Sequence, residues 1–126
     1  MQKNCRPVCH GGKITAEDLQ QLIEWHIKYS LSKQVSEAHK RHLFTALALA
    51  VKDLAIDGMF QTARRNIKAK KRVYYLSLEY LLGRLLVNNL SNFGLMDLLD
   101  KVHLDNPIPL REVIEEEPDP ALGNGG

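Results

Sequence analysis

At 126 residues, 44% hydrophobic and 25% charged, the chain has the size and composition of one ordinary folded domain, which excludes a wholly disordered polymer. A net charge of +2 gives no general pull toward polyanions, so no nucleic-acid partner is expected. No apolar run reaches the roughly 20 residues that span a bilayer, and Met1–Gly12 lacks the apolar heart of a secretory signal, so the expectation is a cytoplasmic protein with no membrane partner.

Cys5, Cys9 and His10 fall close together near the start. Cys-x3-Cys-His is one or two ligands short of a structural zinc set, and no second cluster follows, so no metal is expected. Residues 1–14 read as a flexible tail carrying two reduced thiols. Thr15 then opens a helix, with Glu17 and Asp18 at the positive end of its dipole and Asp18 in the place of a capping-box acid. Leu19, Leu22, Ile23, His26, Ile27 and Ser30 fall on one face, where His26 reads as a packing residue.

After a polar break at 30–36, a second helix is expected from about Ser36 to about Arg65. Its buried stripe is Leu43, Leu47, Ala50, Val51, Leu54 and Gly58, while Lys40, Arg41, Lys52 and Asp53 read as its solvated side. Six of the nine residues from Arg64 to Arg72 are basic, a run that suits a solvated helix end and could also hold an anion.

Val73 to Leu78 is almost continuously apolar or aromatic, so a buried strand is expected over about 73–79, covered on both faces as in parallel sheets. Glu79 ends that strand. It has two readings: a ligand-facing carboxylate at the carboxyl edge of a sheet, or a cap for a helix beginning near Leu81. Leu82, Leu85, Leu86 and Leu90 line that next helix, which Gly94 ends in a left-handed cap. A short helix over about Leu95–Val102, a turn at Asn106-Pro107-Ile108-Pro109 and an acidic helix over Leu110–Glu117 follow. The terminal Gly123-Asn124-Gly125-Gly126 lets backbone approach a ligand closely and aim its amides at it.

Arg72-Val-Tyr-Tyr-Leu-Ser-Leu-Glu79-Tyr-Leu-Leu-Gly-Arg84, Asn88-Asn89-Leu90, Glu117-Pro118-Asp119 and Ala121-Leu-Gly-Asn-Gly-Gly126 together closely resemble the N-terminal region of the glycogen/starch (α-glucan) phosphorylases. The likeness runs from about Leu43 to Gly126, about two-thirds of the chain. It implies an α/β fold: the N-terminal part of a two-domain GT-B glycosyltransferase, mostly helical within this stretch, with residues 15–126 an incomplete domain. It further implies a homodimeric enzyme that uses pyridoxal phosphate, bound to a lysine, to phosphorolyse α-1,4-glucan with inorganic phosphate to glucose 1-phosphate, the cofactor's phosphate acting as acid and base. By the same resemblance Glu79, Asn124, Gly125 and Gly126 bind substrate or phosphate, Gly125 and Gly126 lie near the cofactor's phosphate, and Glu79 lies near the glycine loop. No lysine here matches the cofactor's, and no catalytic residue is assigned.

Departures from the family pattern are local. Tyr80 stands for the usual Phe and Leu82 for Met, both close in volume. Asn66 aligns with a nucleotide-contacting tyrosine of the animal enzymes, and Met1–Gly12 shows no phosphorylatable serine among basic residues, which fits a bacterial or unregulated type. Taken alone, the 126 residues are expected to be inactive, because a lone parallel-type strand would leave Tyr74 and Leu78 exposed. The alternative reading is a non-catalytic helical interaction or dimerisation module built on the second helix and the basic run.

Overall fold

The computed structural model describes residues 13–122. Helix α1, Ala16–Trp25, begins at Thr15 with the expected reciprocal cap: the Thr15 hydroxyl accepts from the Asp18 amide at 3.2 Å, and the Asp18 carboxylate accepts from the Thr15 amide at 3.0 Å. The helix widens into a π turn over His26–Ser30, where the Leu31 amide reaches back to the His26 carbonyl at 3.0 Å. A 3-10 turn, Val35–Glu37, leads to the long helix α2, Lys40–Lys68.

The core forms where α1 lies on the first half of α2. Leu19, Leu22, Ile23 and Ile27 pack with Leu43, Ala46, Leu47 and Ala50, all buried, and the alanines let the two helices approach closely. Helix α3, Leu85–Asn92, adds Leu86 and Leu90 to this core. A 3-10 stretch, Met96–Lys101, adds Leu99, and helix α4, Leu110–Val113, with its 3-10 continuation Ile114–Glu116, adds Val113 and Ile114. The buried stripe of α2 fades at half-buried Leu54, and Gly58 is exposed: from Gly58 to Lys68 the helix projects into solvent. Among the described residues no helix is long and apolar enough to cross a membrane.

Gly94 takes the left-handed conformation at φ +66°, as a helix terminator requires. A Cβ there would meet nothing within 4 Å, so the cost of a side chain is conformational alone. Gly94→Ala is expected to lower the unfolding free energy by about 1–2 kcal/mol, read as a lower denaturation midpoint with an unchanged slope.

The expected buried strand over 73–79 does not form. Residues 69–79 carry no regular structure, and Val73 and Leu78 are 93% and 91% exposed. A buried parallel strand needs a neighbour on each side and covering layers on both faces, and the described residues supply neither. The exposure expected of Tyr74 and Leu78 in the isolated chain is what the structure has. The only sheet among the described residues is a two-residue antiparallel pairing of β1, Tyr80–Leu81, with β2, Ala121–Leu122. Tyr80 stands opposite Leu122 and Leu81 opposite Ala121.

Asp53 also departs from the expected solvated face. Its carboxylate, with a side chain only 11% exposed, lies 2.8 Å from His26 Nε2. On its other side the ring reaches the Ser30 hydroxyl, 2.8 Å from Nδ1. A carboxylate only accepts, so Nε2 carries the proton it donates to Asp53. The pair ties the π turn to the middle of α2.

Candidate functional site

The two motif-bearing stretches, 72–86 and 117–122, meet at the N-terminus of α3. Arg84, the residue before α3, offers no side-chain oxygen as a cap, so the amides of the first turn need a partner from elsewhere. Glu117 supplies it from more than thirty residues away. One carboxylate oxygen accepts from Leu85 N at 2.8 Å and Leu86 N at 3.0 Å, and the other from Leu86 N at 2.9 Å. The carboxylate thus also sits at the positive end of the helix dipole.

The acidic stretch that carries Glu117 is neutralised locally. Arg84 Nη1 lies 2.7 Å from Glu115, and Lys40 Nζ lies 3.0 Å from Glu112 and 3.3 Å from Glu116. The hydrogen bond to Glu112 is the main reason the Lys40 ammonium holds its proton above the usual lysine range, with Glu116 adding to it. The Arg64–Arg72 run of opposite charge is exposed and lies outside this cluster. Within α4, Arg111 forks onto both oxygens of Asp100 at 2.9 and 2.8 Å, and those bonds draw the Asp100 carboxyl below its usual range.

Four residues after Glu117, at Ala121, the chain enters β2 and pairs with β1. Glu117 and the β1–β2 pairing therefore form a clasp: residues 80–86 and 117–122 are held side by side, with Glu79 one step before the residue opposite Leu122. The backbone at Glu79 is itself fixed by Ser77, whose hydroxyl donates to the Glu79 carbonyl at 2.6 Å and accepts from the Glu79 amide at 3.3 Å. The Glu79 side chain is exposed, and it does not cap α3, a task Glu117 performs. The capping reading of Glu79 is thereby overturned.

Asn124, Gly125 and Gly126 lie outside the described residues, as do Cys5, Cys9 and His10. Among the described residues no group of three or more His, Cys, Asp or Glu side chains could hold a metal ion.

One further anchor was not legible beforehand. The Asn106 side-chain amide donates to the carbonyls of Val35 at 2.8 Å and Ala38 at 2.9 Å, tying the Pro-rich turn to the loop before α2. A groove of about 260 Å³ runs between α2 and α3, lined by Phe44, Ala48, Val51, Leu86 and Phe93, with Glu117 at its edge.

Replacing Glu117 tests the clasp. Glu117→Gln keeps one acceptor oxygen but loses the charge and one oxygen, and is expected to cost about 0.5–2 kcal/mol, with faster hydrogen exchange at the Leu85 and Leu86 amides than in the parent. Unchanged exchange at those two amides would show that the carboxylate does not hold them.

No family model matches the chain. It is similar to the glycogen phosphorylase of Pasteurella multocida, 36% identical over 115 residues, covering 90% of this chain and 14% of that protein. The liver form of glycogen phosphorylase from Bos taurus is 34% identical over 129 residues, covering 99% of this chain and 15% of that one. For the brain form from the same animal the figures are 37% over 102 residues, 80% of this chain and 12% of the relative. The chain is a segment of a phosphorylase, mostly helical, spanning 12–15% of the length of the glycogen phosphorylases it matches.

Proposed function

We propose that this segment contributes one wall of the sugar-phosphate site in a GT-B type enzyme that phosphorolyses α-1,4-glucan to glucose 1-phosphate. The observation that carries the reading is the clasp. It holds Tyr80 and Leu81, which follow Glu79 in sequence, against Ala121 and Leu122, which precede the glycine-rich residues, and this supports a reading in which a carboxylate and backbone amides serve one ligand. In this reading Glu79 binds or orients the sugar or the attacking phosphate, and Asn124, Gly125 and Gly126 offer amides to phosphate oxygens. Pyridoxal phosphate would supply the acid–base phosphate of the reaction. In this reading its lysine belongs to another part of the parent protein.

The test is phosphate-dependent release of glucose 1-phosphate from glycogen by the full-length parent protein, with the 126-residue chain run in parallel. Release by the parent and none by the isolated chain is expected. Turnover by the isolated chain would contradict the reading, as would a parent that releases free glucose whether or not phosphate is present.

A second reading, a helical interaction module, draws on the projecting half of α2. Met59, Phe60 and Ile67 are more than half exposed there, an arrangement that favours a partner surface. It is compatible with the first, since the parent enzyme is expected to be a homodimer.

A further inference from the structure

Between Glu117 and β2 stand only Pro118, Asp119 and Pro120. Each proline ring holds its own φ near about −65° and biases the residue before it toward extended backbone. Glu117 has that geometry, at φ −66° and ψ 119°. The link is therefore a stiff arm. Its near end is pinned where the Glu117 carboxylate meets the Leu85 and Leu86 amides, and its far end is Ala121, paired with Leu81.

In sequence the arm leads at once through Leu122 into Gly123-Asn124-Gly125-Gly126. Glycines set little backbone preference of their own, so the residues that root a glycine-rich stretch decide where it begins and in which direction. On the other side the same carboxylate fixes the start of α3, which follows Glu79 in sequence after a short turn. One side chain thus sets the spacing of both stretches assigned to the ligand. The neighbouring ion pairs do not share this task. Glu112 and Glu115 are exposed, and water screens their pairs with Lys40 and Arg84. Half-buried Glu117 instead holds fixed backbone amides rather than the ends of long, mobile side chains.

We infer that Glu117 is a positioning residue for the phosphate of the reaction: it touches no substrate, and through the Pro118–Pro120 arm it holds the root of the glycine-rich stretch whose amides meet phosphate oxygens. The inference rests on the phosphorolytic reading of the site.

Steady-state phosphorolysis by the full-length parent protein tests it, with inorganic phosphate and glycogen varied in turn. A displacement of about 1 Å at a site can cost on the order of a hundredfold, so Glu117→Ala is expected to raise the KM for phosphate at least about tenfold and to leave the KM for glycogen within about twofold. Glu117→Gln keeps the reach and one oxygen able to accept from both amides, so it should recover part of that loss. Its own rise of about threefold carries the test if the alanine variant does not fold. Asp100→Asn loosens the ion pair with Arg111, away from the arm, and should leave both constants unchanged. A Glu117 that served stability alone would lower only the active fraction, and so the apparent kcat, at an unchanged KM for phosphate. That result overturns the inference and leaves the phosphorolytic reading standing, as does an equal rise in Asp100→Asn. A parent protein with no phosphate-dependent release of glucose 1-phosphate overturns the reading and the inference together.

Discussion

Asp53→Ala is expected to lower the unfolding free energy of the chain by about 1–3 kcal/mol, the cost of leaving a buried polar group without its partner. His26 is only 5% exposed, and its Nε2 donates to Asp53 at 2.8 Å. With the carboxylate gone, the Nε2 donor of an almost wholly buried ring loses its acceptor. The loss would be felt at the junction of the π turn with the middle of α2. Asp53→Asn keeps an acceptor oxygen of the same reach and should recover more than half of the loss. A denaturant titration of the three proteins measures this directly, and equal midpoints for Asp53→Ala and the parent would show that the His26–Asp53 bond adds nothing to stability.

Elements whose cause is local were legible in the sequence. The Thr15–Asp18 cap, the stripe Leu19–Ile27, the first half of α2 and the left-handed Gly94 all depend on neighbours within a turn or two, and the structure has each of them. Helix bounds moved where tertiary context decided them. Helix α2 starts at Lys40 rather than about Ser36, because Val35–Glu37 forms its own 3-10 turn and Ala38 is extended. Helix α3 starts at Leu85 rather than near Leu81, because Tyr80–Leu81 is drawn into pairing with residues forty positions away.

Long-range partners were not legible. Nothing in the periodicity of α2 separates Asp53, which meets a histidine 27 residues earlier, from Lys52, which faces solvent. Likewise the acidic run Glu112–Glu117 carries no local mark of the amides it caps or the cations it meets. The apolar run 73–78 shows the opposite failure. Its composition states a preference for burial in a sheet, and composition cannot supply the neighbouring strands that burial requires.

The same limit shapes the candidate site. Of the residues assigned by resemblance, Glu79 lies beside the clasp with its side chain in solvent, whereas Asn124, Gly125 and Gly126 fall outside the described residues. Glu117, which no resemblance singled out for a role, is the residue that joins the two stretches. The signal that could have found it is the missing N-cap at Arg84: a helix start with no Ser, Thr, Asp or Asn calls for an acceptor from elsewhere.

Glu79→Gln in the full-length parent protein is the second large effect expected. The substitution keeps size and hydrogen-bonding reach and removes the charge, and because the side chain is exposed and caps no helix here, folding should be untouched. A carboxylate that orients the sugar or the phosphate in the transition state should cost about tenfold or more in kcat/KM when neutralised, which is about 1.4 kcal/mol or more of transition-state stabilisation. Measuring kcat/KM for phosphorolysis of glycogen in the parent protein and in its Glu79→Gln variant, with thermal unfolding as the control for folding, therefore addresses the central claim most directly. The account predicts a fall of at least about tenfold at unchanged stability. Equal kcat/KM in the two proteins would contradict it and leave Glu79 as a surface residue next to the clasp.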